Sequence, residues 1–210
     1  MYQPDLFRVD DVAQMHALMR ARPLAALISD GALGLYASHL PTVLKEEGPF
    51  GVIECHLARA NPHCEDLAGG EALMIFQGSD GYITPNWYPS KFQHGKVVPT
   101  WNYCAVHAYG VLQIHHDTGW IRAQVEALTA WQESASPQPW SVADAPHDYV
   151  EAMLKQIVGV EIAITRLYGK WKLSQNQPER NRAGVIEGLA ERQDANGAPL
   201  RELMRERERR

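Results

Sequence analysis

The chain has 210 residues, 45% of them hydrophobic and 21% charged, and a chain of this length buries roughly 70% of its unfolded surface, which excludes extensive disorder. A formal charge of −5 excludes a global positive field, so any nucleic-acid contact must come from a local patch. Three cysteines, Cys55, Cys64 and Cys104, lack the spacing of a zinc ribbon or a disulfide framework and point to free thiols in a reducing compartment.

The opening MYQPDLF has neither the basic start nor the apolar stretch of a secretion signal, and the longest apolar run, Leu24 to Ile28, is too short to cross a bilayer. A cytoplasmic protein without membrane contact is expected. Asp10 and Asp11 can cap a helix that presents Val12, Met15, Leu18 and Met19 on one face and ends by Pro23. LAALIS and ALGLYAS flank Asp30-Gly31, a dipeptide suited to a two-residue hairpin turn, so strands are expected over about residues 24 to 38. A second hairpin is expected from Thr42 to Leu57 around EEGPFG. Asn61-Pro62 breaks the strand, a helical turn runs to Leu67, EALMIFQ reads as a strand and GSDG as a further turn.

Residues 82 to 116 read as more β structure around a Pro-bounded loop. Asp117 or Thr118 can then cap a helix whose apolar face is Ile121, Val125, Leu128 and Trp131. A shorter helix from about His147 to Gln156 leads into VGVEIAITRLYGKWKLS, where β-branched residues argue for a long strand, and a last helix covers residues 178 to 191. Hairpins dominate and strands do not alternate regularly with helices. The expectation is therefore a mainly β, α+β chain built on an antiparallel barrel with attached helices. One domain spans residues 1–192, and a charged tail, 193–210, is helical or partly disordered.

Four strand-like segments are unusually rich in polar and aromatic residues: HLARANP from His56, FQGSDGYITPNWYPSK from Phe76, VPTWNYCAVHAYG from Val98 and GKWKLSQN from Gly169. Strands that face only a core do not need so many hydrogen-bonding side chains. At these segments, and at HLP from His39, the chain resembles the PaiB family of FMN-binding negative transcriptional regulators, along nearly its whole length. The resemblance implies an antiparallel split β-barrel of the pyridoxamine-phosphate-oxidase-like FMN-binding type, working as a homodimer with flavin between subunits.

The chemistry of FMN matches these residues. Its phosphate dianion suits Arg59, Lys91 and Lys172, with hydroxyl donors from Thr84 and Ser174. Trp87, Tyr88, Trp101 and Tyr103 can wall an isoalloxazine ring, Asn61, Asn102, Gln175 and Asn176 can read its edge or the ribityl hydroxyls, and Tyr82 is a further candidate cofactor contact. Each of these also has a structural reading: aromatics as core, lysines as a solvated pair, and Ser174 to Asn176 as a turn.

No metal is expected, because neither His56, His63 and Cys64 nor His115, His116 and Asp117 has diagnostic spacing. There is no nucleophile elbow, phosphate-binding glycine loop or dinucleotide fingerprint, which removes hydrolase and nucleotidyl-transfer readings. Three functions compete: a transcriptional regulator acting on DNA directly or through another protein, a flavin reductase, oxidase or haem-degrading enzyme for a small planar substrate, and a barrel that has lost its cofactor.

Overall fold

The structure is a computed structural model that describes residues 1–32, 34–66, 70–192 and 196–209. Its strands are β1 (Arg8–Val9), β2 (Leu24–Gly31), β3 (Gly34–Pro41), β4 (Val43–Lys45), β5 (Val52–Ala58), β6 (Glu71–Ile83), β7 (Thr100–His115) and β8 (Ile157–Lys172). Its helices are α1 (Val12–Ala21), α2 (His63–Asp66), α3 (Lys91–His94), α4 (Thr118–Glu133), α5 (His147–Leu154), α6 (Glu179–Glu191) and α7 (Gly197–Glu208). None of them is long and apolar enough to cross a membrane among the described residues.

The hydrogen-bonded strand order is β3-β2-β6-β7-β8-β5-β4, with β1 also paired to β8. This corrects the expected barrel. The order is split-barrel-like, but the sheet is open and the chain is a mixed sheet-and-helix fold. The reason lies where the chain passes from one edge strand to the other. Pro41 has no N–H, and Thr42 gives both its N–H (3.0 Å) and its hydroxyl (2.9 Å) to the Pro23 carbonyl. β4 is only three residues long and pairs with β5, so that edge offers too few donors to close a ladder with the eight-residue β3.

The chain divides into two compact units, one of Val12–Phe76 with His107–Leu167, the other of Met1–Asp11, Gln77–Val106 and Tyr168–Arg210. In the first, α1 buries Met15, His16 and Met19 at helical spacing, and His16 Nε2 lies 2.8 Å from the Phe50 carbonyl. Asp117 caps α4 by accepting the Trp120 N–H at 2.9 Å. The α4 face turns slightly from the expected one. Ile121 and Leu128 are buried, but Trp131 is exposed and Gln124 takes an inner position, where its Oε1 lies 2.8 Å from His56 Nδ1. Ile121 also joins Val142, Val150 and Leu154 in a satellite core.

Two turns differ from expectation. The β2–β3 register pairs Gly31 with Gly34, so Asp30 and Gly31 are strand residues of β2 rather than the turn. GSDG is no turn at all, because β6 runs straight through it. Its Gly81 serves close approach instead, since a Cβ there would lie 3.1 Å from both Arg192 and Leu200 side-chain atoms. The helical turn expected to reach Leu67 is α2, and Leu67 itself lies outside the described residues, as do residues 193–195 and 210 of the charged tail. Residues 197–208 of that tail form α7, which buries Leu200 and Met204.

In the second unit, α6 packs on the segment after β6 through two glycines one turn apart. A Cβ on Gly184 would sit 2.0 Å from the Trp87 carbonyl oxygen, and one on Gly188 would sit 2.3 Å from the Trp87 indole. Asn181 completes this contact, donating to Ser90 Oγ at 2.9 Å and accepting the Ser90 N–H at 3.3 Å.

Gly188→Ala is expected to lower stability in urea by about 1–3 kcal/mol through overpacking against Trp87, while Gly70→Ala, which meets nothing within 4 Å, leaves it within about 0.5 kcal/mol. The thiols supply a second measurement. Cys55 and Cys104 are buried and Cys64 half-buried, all three free; burial raises each, Cys55 to about 12. A thiol-reactive chromophore at neutral pH should label Cys64 alone, slowly, and reach the other two only on unfolding.

Candidate functional site

Alternate residues of a strand point to one face, so Trp101 and Tyr103 of β7 emerge together. Tyr82, near the end of β6, meets Trp101 edge-on at 6.3 Å between centroids and 71° between planes. Both rings remain in solvent, Tyr82 44% and Trp101 53% exposed. Large aromatics paired on an open surface mark a binding face more often than a scattered surface residue does.

β8 sets two lysines near Tyr103, Lys170 buried and Lys172 half-buried. Lys170 Nζ donates to the Tyr2 carbonyl at 3.0 Å and stands 5.4 Å from the Tyr103 ring centroid. Lys172 Nζ donates to the Thr100 hydroxyl. Burial holds the Lys172 ammonium below the ordinary lysine value of 10.5; the Tyr103 phenol opposes that shift and Lys170 adds to it. Thr100 was not among the expected site residues. Its signal was its place beside Trp101 in VPTWNY, where a strand-initial hydroxyl can orient a neighbouring cation.

Asn102 points the other way and is wholly buried. Its Nδ2 donates to Ser174 Oγ at 2.9 Å, its Oδ1 accepts from that hydroxyl at 3.1 Å, and Met204 Sδ lies 3.6 Å from Nδ2. Ser174 adopts φ +64°, a left-handed conformation uncommon for a residue with a side chain. Gln175 folds back on the end of β8: its Oε1 accepts the Leu173 N–H at 2.6 Å and its Nε2 donates to the Trp171 carbonyl at 2.5 Å. Asn176 is exposed.

The YITPNWYPSK residues sit elsewhere in the same unit. Thr84 caps the turn Pro85–Trp87 by accepting the Asn86 N–H at 3.2 Å, and Lys91 Nζ donates to Asn86 Oδ1 at 2.5 Å. Trp87 is wedged on Gly184 and Gly188. Tyr88 is buried, which raises its phenol, with the nearby Ser174 hydroxyl opposing the shift.

Arg59 and Asn61 belong to the other unit. Arg59 donates from Nε to the Lys155 carbonyl and from Nη2 to the Ile157 carbonyl, both at 3.0 Å, and so clasps the entry to β8. Asn61 donates to Ser38 Oγ at 3.2 Å and accepts the His63 N–H at 3.0 Å. There it joins a buried network that the sequence did not signal. His63 Nδ1 lies 2.9 Å from Ser38 Oγ, its Nε2 lies 2.8 Å from Ser29 Oγ, and its ring is 4.8 Å from that of Tyr36.

Of the expected residues, then, the structure pairs Tyr82 with Trp101 on an open face, sets Lys172 near Tyr103 of the same strand as Trp101, and locks Asn102 and Ser174 together in the interior. That face fits FMN: aromatic rings that can wall a flat heterocycle, and a cation held by a hydroxyl for the phosphate.

Known proteins resemble the chain along its whole length. The chain is 33% identical to an uncharacterised protein of Emericella nidulans, over 99% of this chain and 97% of that one. It is 28% identical to the protease synthase and sporulation protein PAI 2 of Bacillus subtilis, over 99% of this chain and 98% of that one. Among solved structures, the flavocytochrome Anf3 of Azotobacter vinelandii shares the fold, with a TM-score of 0.55 at 14% identity, over 84% of this chain and 75% of that one. A family model matches residues 1–166, ending short of Lys172 and Ser174. On that match the chain belongs to the family described as "Putative FMN-binding domain", and its cofactor is FMN.

Proposed function

We propose that this protein is an FMN-dependent oxidoreductase acting on a small planar substrate, with the flavin lying on the face of Tyr82, Trp101, Tyr103 and Lys172. The observation that carries the reading is the solvent-exposed Tyr82–Trp101 pair on the unit that also holds Lys172 against Thr100. Bound FMN supplies electron transfer between a reduced donor and an acceptor. The chain supplies the rest. Trp101 and Tyr82 wall the ring, Lys172 neutralises phosphate charge, and Thr100 fixes the direction of the ammonium. The solvent-exposed side of the Tyr82–Trp101 pair would leave a second flat molecule room to reach bound flavin. Anf3, named a flavocytochrome, lends the redox reading its support on the same fold.

The reading includes a homodimer and a cytoplasmic setting. Two exposed aromatic rings and the neighbouring strand face are surface that a second copy can cover, at about 25 cal/mol per Å² of apolar area removed from water. Free Cys55, Cys64 and Cys104 suit a reducing compartment.

A second reading, repression of transcription directly or through another protein, draws on the likeness to PAI 2 along the full chain and on the PaiB-like motifs. The charge of −5 speaks against direct DNA binding.

Purified, FMN-loaded protein is expected to oxidise reduced nicotinamide with a flat acceptor present. Absence of turnover with nicotinamides, oxygen and haem, together with salt-sensitive binding to its own promoter, would reverse the order of the two readings. Lys172→Met is expected to weaken FMN about tenfold to a hundredfold and leave riboflavin unchanged, since only FMN carries the phosphate; equal loss for both ligands moves the phosphate elsewhere.

The same lysine predicts a pH dependence. Its folded value lies below 10.5, so FMN affinity should hold near neutrality and decline with rising pH before an ordinary lysine would titrate. Kd measured from pH 7 to 10.5 tests this, and a decline that persists in Lys172→Met assigns it to another group.

A further inference from the structure

A cleft of about 320 Å³ opens in the unit that contains α6 and α7, away from the Tyr82–Trp101 pair in its lining residues. Its floor is apolar: Leu173 and Met204 are buried there, and Leu6 stands at its rim. Its polar side carries two guanidinium groups, Arg182 from α6 and Arg207 from α7, with the Glu208 carboxylate between helices. Gln175, an expected flavin contact, also lines the cleft, with its side chain bonded to the backbone at Leu173 and Trp171; the other lining residues take no part in the flavin reading.

We infer that this cleft is a binding site for a small amphipathic monocarboxylate. Two features lead there. First, Arg182 is held in position, with Nη1 donating to the Gln177 carbonyl at 2.9 Å and Nε to Glu208 Oε1 at 3.1 Å. A fixed guanidinium loses less freedom when it takes a ligand than a side chain loose in solvent does. Second, the group it already meets is a carboxylate from the last turn of α7. Glu208 shows that a carboxylate can reach the Arg182 guanidinium at the cleft's edge. Arg207 beside it leaves the polar side with one net positive charge, which matches a monoanion better than a dianion or a cation. The apolar floor then takes a short hydrocarbon chain or ring, in keeping with pockets that combine apolar walls with a few charged groups. The ligand carboxylate displaces Glu208 from Arg182, and binding therefore competes with the contact that ties the end of α7 to α6.

Calorimetric titration of the full chain with octanoate tests the site, with octanol and octylamine as probes of the same length. Octanoate is expected to bind saturably with one site per chain, octanol at least tenfold more weakly and octylamine not at all. Glu208→Gln, which removes the competing carboxylate, should tighten octanoate severalfold. Arg182→Met and, independently, the exposed-position variant Arg207→Gln should each weaken it about tenfold with an unchanged circular dichroism spectrum. No octanoate binding, equal affinity for octanol, or indifference to all three substitutions would overturn the inference. The same preparations titrated with FMN separate this site from the flavin face: one-for-one displacement of octanoate by FMN would show a single shared site and likewise overturn it.

Discussion

The reciprocal hydrogen bonds between Asn102 and Ser174 are the constraint on which the candidate site rests. Both side chains are buried, and a buried amide left without partners costs about 1–3 kcal/mol. That penalty holds Asn102 inward. Because strand residues alternate, an inward Asn102 sends Trp101 and Tyr103 out to the opposite face. Ser174 is held in its left-handed conformation by the same pair of bonds, with its carbonyl accepting the Gln177 N–H at 2.9 Å. A strained backbone of this kind persists only where the surroundings over-determine it. The Gln175 side chain adds the last of these restraints by folding over the end of β8.

Much of the polarity in the family-like segments is spent on architecture. Trp87 fills the groove made by Gly184 and Gly188, Asn181 ties α6 to Ser90, and Thr84 and Asn86 shape the turn between them. Arg59 and Asn61 do comparable work in the other unit, clasping backbone carbonyls and completing the His63 network. Polar residues in strands need partners wherever they are buried, and a ligand is only one kind of partner. Residue type alone therefore overstates the number of ligand contacts.

What distinguishes the open face is incomplete burial. Tyr82 and Trp101 keep about half of their surface in solvent, 44% and 53%, and Lys172 sits where partial desolvation disfavours its charge. An anion arriving there would be met by a cation with little water to shed, on a chain whose overall charge repels anions. Local arrangement outweighs net charge at this distance, since solvent charges are screened beyond about 8–10 Å.

The sequence by itself determined most of the local structure. α1, α4, α5 and α6 and the long strands β7 and β8 were legible because hydrophobic spacing, the Asp117 cap and runs of β-branched residues are local signals. The FMN-binding family was legible from VPTWNY and KWKLSQN, whose odd composition is itself the signal. Tertiary structure alone decided the rest. It left the sheet open, because closure depends on donors at two edges that no local pattern reports. It turned GSDG from a turn into strand, because Gly81 answers to a helix far along the chain. It also sorted the aromatics into an exposed pair and a packed wedge, since which face a side chain takes depends on partners such as Ser174 and Gly188, which lie far away in sequence.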